Sequence, residues 1–422
     1  MTFPLASRTL DNGLRVTVAH DPLSPGAAVN LWYRVGSADE RRGASGFAHL
    51  FEHLMFAGSA HVADGQHMVI LEALGGLTNA TTSADRTNYF ETTPPGALSL
   101  ALWLEADRLA SLRVSRRSLA TQRAVVHEEK RQRYDNQPYG DQLELMLALV
   151  FPAGHPYATP TIGSMADLDA ASLDDVRAFH STWYRPDNLS LVVVSPLPDS
   201  DVLRLVDAHL GSVPAAAGAP PVPAAPPALP PLQGVARNRV VRPVPRSVLH
   251  LLWRTPPLRH PDRAATDLVL DILAAGQASR LHRDLVRERD LAIGVGAIDF
   301  SLARGTSIGG LSIQPQAEIS LPPLEDAIVT HIDKLAADGP TPAELERAKA
   351  QIERNWFAEL SDAGDRADAI NQAAVVWDDP GRINDQLDDW IAVTAADVGR
   401  AAATWLRPDC RAVLEYVAEE AQ

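Results

Sequence analysis

The chain has 422 residues, 46% of them hydrophobic and 22% charged, which is long and apolar enough for two or three packed domains and excludes a disordered or fibrous class. Its 38 basic and 53 acidic residues give a formal net charge of -15, with no basic patch, which argues against nucleic acid as a partner. One cysteine, Cys410, excludes an intrachain disulfide and a thiolate metal site, and no apolar run approaches the ~20 residues of a membrane span. Met1-Thr2-Phe3-Pro4 carries no signal-peptide pattern, so the cytoplasm is the expected location.

In chain order, strands are expected over 14–19 and 28–33, where β-branched and aromatic residues cluster. A helix follows between an N-cap at Ser45 and a stop at Gly58. Gly75-Gly76 reads as a turn before another strand. Amphipathic helices are expected over 97–112 and 173–184, a long polar helix over 119–133, and a strand over 189–194. The run from Val213 to Leu232 is rich in Pro and Ala, so it is extended and builds no core. Further helices are expected over 342–360 and 395–406, and Ser172 and Thr394 are N-caps at matching places.

Those matching places belong to an internal duplication. Asp175-Val176 and Thr182-Trp183-Tyr184-Arg185-Pro186-Asp187 recur as Asp397-Val398 and Thr404-Trp405-Leu406-Arg407-Pro408-Asp409, at a constant offset of 222 (397 − 175, 409 − 187). Upstream, Leu31-Trp32-Tyr33-Arg34 parallels Leu252-Trp253-Arg254, and Asp267, Leu270 and Asp271 fall opposite the helix that begins at Ser45. The expected division is a first domain over 1–212, a linker over 213–232 and a second domain over 233–422. The expected class is α+β, two homologous domains that each pack helices on a mostly antiparallel sheet. Trp183 and Trp405 are expected as core anchors, and Cys410 as a small buried strand residue.

The helix after Ser45 contains His49-Leu50-Phe51-Glu52-His53. Phe47, Leu50, Phe51, Leu54 and Met55 form an apolar stripe at helical spacing, and His49, Glu52 and His53 share the opposite face. Two imidazoles four residues apart can hold Zn2+, and a glutamate between them can work on water; H-x-x-E-H is the inverzincin order of this motif. A catalytic zinc takes three protein ligands, so a third must come from elsewhere. Glu128 and Glu129 lie in the helix expected over 119–133; Glu129 is 76 positions after His53 (129 − 53), although a paired acid on a helix is also what a solvated face looks like. His127 is expected as a helix-surface residue, and His155 and His180 are expected to serve structure.

These residues resemble the M16 (pitrilysin-type) zinc metallopeptidases, and in particular short bacterial members of the M16B subfamily, which are related to the subunits of the mitochondrial processing peptidase. The resemblance runs through the opening strand at Leu10–Val16, Gly46-Phe47-Ala48-His49-Leu50-Phe51-Glu52-His53-Leu54-Met55-Phe56, Gly75–Thr82 with Asp85, Thr87 and Tyr89, Val125–Glu129, His155-Pro156-Tyr157 and Tyr184–Asn188. It implies that His49, His53 and Glu129 bind one Zn2+, that Glu52 is the general base, and that an extended peptide adds as a strand along Asn79, Ala80 and Thr81.

The chain departs from the family pattern twice. Gln122 stands where a second glutamate near the metal is usual, which removes a charge behind the ligands. Aligned on Leu291-Ala292, Val286 and Ile293 stand where active members carry an Arg/Tyr pair that contacts the substrate, and Arg287 is one residue off. The expectation is a zinc endopeptidase for unfolded peptides or leader segments, acting as the zinc-bearing subunit of a heterodimer whose second M16B chain supplies the pair, with a homodimer as the alternative. Two other readings are a non-proteolytic assembly subunit and a leader peptidase in the maturation of a ribosomally made peptide.

Overall fold

The computed structural model describes residues 2–223 and 225–419. The first half opens with β1 (Leu5–Thr9), β2 (Arg15–His20) and β3 (Ala27–Tyr33), followed by α1 (Phe47–Leu54), α2 (Gln66–Ala73), β4 (Leu77–Thr82) and β5 (Thr87–Thr93). Helices α3 (Leu98–Ser111), α4 (Arg116–Lys130), α5 (Gln142–Val150), α6 (Met165–Ala170) and α7 (Leu173–Trp183) come next, then β6 (Leu189–Ser195) and α8 (Asp199–His209). The second half runs β7 (Ala236–Arg242), β8 (Val248–Thr255), α9 (Arg263–Ala274), β9 (Ala292–Phe300) and β10 (Ser307–Pro315). It ends with α10 (Pro322–Asp338), α11 (Pro342–Glu359), α12 (Ala363–Val376), α13 (Gln386–Ala392), α14 (Ala395–Trp405) and β11 (Ala412–Ala418).

The duplication is visible in the sheets. One sheet has the order β1-β2-β6-β3-β5-β4, the other β7-β11-β8-β10-β9. Apart from the extra β1 they match strand for strand, each with one parallel pair (β2–β6, β7–β11) among antiparallel neighbours. β3 is buried at every position, as its run Ala-Ala-Val-Asn-Leu-Trp-Tyr requires of a strand covered on both faces. Ser172 and Thr394 close equivalent capping boxes with Asp175 and Asp397, so the two copies start α7 and α14 by the same device.

Packing divides the chain differently from the linker. One compact unit comprises Met1–Lys130, Pro160–Ala224 and Trp356–Gln386; the other comprises Arg131–Thr159, Ala225–Asn355 and Leu387–Gln422. The expected boundaries at 212 and 233 therefore separate the sheets but not the units. The exchanged segments are copies of each other: α5 plus the repeat offset spans 364 to 372 (142 + 222, 150 + 222), inside α12. In the first unit α12 closes one face of the sheet, where Ala367 and Ile370 pack against Ala28, Val192 and Val194. In the second unit α5 lies on β8 and β11, while α9, α10 and α14 build the main core on the other face.

Three expectations need correction. Trp32 lies opposite Ser190, whereas Ala412, the counterpart of Ser190, lies opposite Leu252; Trp253 is thus the counterpart of Tyr33 rather than of Trp32. One residue of register moves a ring to the other face, and Trp253 indeed sits in the core under α9, while Trp32 donates to Asp368 of α12. Trp183 and Trp405 are only half-buried, and Tyr184 and Leu406 beside them fill the core. Cys410 is half-buried in the turn before β11, not in the strand.

Candidate metal centre

The apolar stripe of α1 does what its spacing predicts: Phe47, Leu50, Phe51 and Leu54 are buried, and Phe51 packs on Phe179 and Tyr184. The start of the helix is built differently from expectation. Ser45 does not cap it; the N-cap is Gly46, in the left-handed region at φ 95°, with no side-chain cap of its own. Glu40 reaches in instead, accepting from the backbone N–H of Gly46 (2.9 Å) and of Ala48 (2.8 Å), and Asp167 accepts from that of Ser45 (3.0 Å). Two carboxylates thus meet the positive end of the helix, where orphan N–H groups and the helix dipole favour them. Burial pushes the Glu40 carboxyl up to about 8, against the pull of those two N–H groups. Gly163 permits the close approach of the neighbouring loop, since a Cβ there would lie 2.3 Å from Gly46.

On the opposite face of α1 the rings of His49 and His53 meet edge to face, with centroids 4.9 Å apart. α4 packs across α1, anchored by buried Val126, and Glu129 falls three residues further along the same helix. His127 pairs with Asp169 of α6 at 2.9 Å, a structural contact. Glu128 is exposed, whereas Glu129 Oε2 lies 3.4 Å from His49 Nε2 and 3.3 Å from His53 Nε2. Those separations are long for hydrogen bonds, which favour about 2.7–3.2 Å. They match the edge of a tetrahedron with metal–ligand bonds of about 2.0–2.1 Å, which is ~3.3 Å. His53 Nε2 is buried and makes no hydrogen bond among the described residues. Two imidazoles and a carboxylate, with ligand atoms all within 4.8 Å of one another, fit a tetrahedral zinc ion with one position left over.

Glu52 stands beside this set. Burial raises its carboxyl, the Thr82 hydrogen bond and nearby His53 lower it, and Glu129 adds to the rise. Thr82 Oγ1 donates to Glu52 Oε2 at 2.5 Å. Asn79, Ala80 and Thr81 lie on β4, the terminal strand of its sheet, with only β5 as neighbour. Gln122 is half-buried on α4, two turns before Glu129.

Behind α1 a second group could hold a metal by residue type: His67, Glu91 and Glu105. Arg108 engages both oxygens of Glu105, so a guanidinium already supplies the positive charge there. His67 Nε2 lies 2.6 Å from Glu91, and burial depresses the imidazole while raising both carboxyls. This cluster is a buried support for α2, α3 and β5 rather than a second centre. His180 stacks against both Phe51 and Tyr184, and His155 on Phe151, both structural.

In the second copy the place of the motif is empty of imidazoles. Asp267 is taken by Arg263 (2.7 Å) and Trp390 (2.9 Å), and desolvation, with Asp267 and Asp299 nearby, pushes half-buried Asp271 up to about 7. Val286 packs against the second core, Arg287 is exposed and donates to Gln277 at 3.1 Å, and Ile293 is 38% exposed at the start of β9. Neither Val286 nor Ile293 carries a side-chain donor, and Arg287, one residue after Val286, is engaged with Gln277.

Sequence reasoning missed Glu40, Asp167, Asp368 and the hydrogen bond from Thr82 to Glu52. Only Glu105-x-x-Arg108, an ion pair spaced along an otherwise apolar helix, carried a readable signal for the buried polar cluster.

The chain is similar to known proteins in sequence and in fold. Residues 15–163 match the model "Insulinase (Peptidase family M16)", and residues 170–352 match "Peptidase M16 inactive domain". The chain is 30% identical over 408 residues to the zinc protease PqqE of Helicobacter pylori, covering 95% of this chain and 90% of that one. It is 27% identical over 402 residues to an uncharacterized zinc protease of Mycobacterium tuberculosis, covering 93% and 89%. A crystal structure of a protease from Helicobacter pylori superimposes with a TM-score of 0.91 at 27% identity over 99% of this chain and all of that one. Pitrilysin shares the fold, with a TM-score of 0.79 at 19% identity, over 99% of this chain and 45% of its own.

Proposed function

Because the chain belongs to peptidase family M16, the insulinase family, we propose that it is a zinc-dependent endopeptidase that cleaves extended, unfolded peptides. The observation that carries this reading is the approach of His49 and His53 to Glu129 at 3.4 and 3.3 Å, with Glu52 on the same helix face. His49, His53 and Glu129 would hold the ion. Zinc in such a site supplies a Lewis acid for the scissile carbonyl and makes water a stronger acid. Glu52 takes the proton of the attacking water and hands it to the leaving amine. The free edge of β4 at Asn79, Ala80 and Thr81 takes the peptide by backbone pairing, which selects for an extended chain more than for a sequence. Gln122, in place of a carboxylate, leaves the ligand shell less negative.

The second half of the proposal concerns a partner. Ile293 has no donor for an oxyanion or a substrate carbonyl, so a second M16 chain completes the site, whether a different subunit or another copy. The test is cleavage of a quenched fluorescent peptide mixture by the zinc-loaded chain, alone and with an M16 chain of the same organism that has the Arg/Tyr pair, each with a chelator control. The proposal expects chelator-sensitive cleavage that rises steeply with the second chain. Full activity in a verified monomer contradicts the partner; no zinc-dependent cleavage in either mixture contradicts the peptidase.

A further inference from the structure

We propose that Thr82 is a positioning residue that joins the peptide-binding strand to the general base. The inference rests on the reading of Glu52 as base and β4 as peptide strand. Thr82 is the last residue of β4. Its hydroxyl is 2.5 Å from Glu52 Oε2, so one carboxylate oxygen is held in place. A glutamate side chain on an open helix face has three rotatable bonds and spends most of its time away from any one geometry. A single donor on a strand removes that freedom, and a base held within reach of its proton gains rate through positioning alone.

The donor is itself fixed from behind. Successive side chains of a strand point to opposite faces, so Thr81 points away from Glu52. There it meets Asn88 at 2.5 Å, and Asn88 donates to Asp368 Oδ1 at 2.8 Å. The same oxygen accepts from Trp32 Nε1 (2.7 Å) and Asn30 Nδ2 (3.1 Å), so three donors from β3 and β5 converge on one carboxylate of α12. Arg86, across the β4–β5 turn, donates to the carbonyl of Thr81 at 3.0 Å and lies 5.1 Å over the Trp32 ring. The end of β4 is thereby held in one register, and with it the hydroxyl of Thr82. A peptide that pairs with β4 stiffens the strand that orients the base, which couples occupancy of the edge to readiness of Glu52.

A threonine that merely ties β4 to α1 would act on stability and on peptide binding instead. The test is a kinetic cycle on the zinc-loaded chain, with its partner where the partner is required. Thr82→Val keeps the shape and removes the donor; the expected result is a kcat lower by about ten- to hundredfold, the range for losing a hydrogen bond to a charged group, with KM and zinc content unchanged. Thr82→Ser, which restores the hydroxyl, should recover most of the rate. In a Glu52→Gln background Thr82→Val should change the residual rate by less than about twofold, because residues acting as a unit are not additive. A wild-type kcat in Thr82→Val, a raised KM with kcat intact, or an equal further loss in the Glu52→Gln background would overturn the proposal. A wild-type rate in Glu52→Gln alone would instead refute the reading of Glu52 as base.

Discussion

Four glutamates of this chain show how one side chain is assigned four tasks by its surroundings. Glu40 is half-buried against backbone N–H groups and holds the start of a helix. Glu129 turns toward two imidazoles, and Glu52 keeps one oxygen for a threonine hydroxyl. Glu344, in the second unit, accepts from Arg280 through both oxygens at 2.8 Å and from the backbone of Thr341. Those contacts, the Arg280 hydrogen bond first, hold its carboxyl down at about 2. A folded pKa below the unfolded value contributes stability that is present above the unfolded pKa of about 4.5 and lost as pH falls toward 2. Urea midpoints measured between pH 5 and 2 should therefore fall with pH in the wild-type chain, and Glu344→Gln should lower the midpoint at pH 5 and flatten that slope. An unchanged slope in the variant would mean that other carboxylates carry the acid sensitivity. Of these four roles the sequence displayed two. His49, Glu52 and His53 are legible because helical spacing alone puts them on one face, and Glu129 because it resembles a known ligand helix. Glu40 and Thr82 are not legible, since neither the five residues between Glu40 and Gly46 nor the turn between β4 and β5 has a spacing that implies contact.

Among the elements, α12 matters most for the first unit although it lies more than 300 positions after β2 in the sequence. It covers Ala28, Val192 and Val194 with Ala367 and Ile370, and its Asp368 gathers three donors from the strands beneath. Each apolar side chain uncovered costs about 1.5–3 kcal/mol, and a domain has only about 5–15 kcal/mol in hand. A chain ended at residue 212 is thus expected to show no cooperative thermal transition and to bind no stoichiometric zinc, although it contains every proposed ligand. A cooperative melt with one equivalent of zinc in that fragment would show that α12 is dispensable. The duplication was readable from Thr182–Asp187 and its copy at Thr404–Asp409, and the capping boxes at Ser172 and Thr394 came with it. The exchange of α5 and α12 was not, because an amphipathic helix shows which face is apolar and not which sheet that face covers.

At the scale of the whole molecule, two copies of one sheet topology have taken different work. One carries His49, Glu52 and His53 on the helix after its third strand; in the other, half-buried Asp267 and Asp271 stand on α9, Asp267 held by Arg263 and Trp390. Among the described residues no helix is long and apolar enough to cross a membrane. The central claim is that Glu52 moves protons at a centre held by His49, His53 and Glu129. Its most direct test is Glu52→Gln, assayed for zinc content, thermal midpoint and peptide turnover beside the wild-type chain. One zinc per chain and an unchanged midpoint are expected, with turnover lower by about 10²–10⁴, the usual range for loss of a general base. Turnover at the wild-type rate by a zinc-loaded Glu52→Gln chain would contradict it.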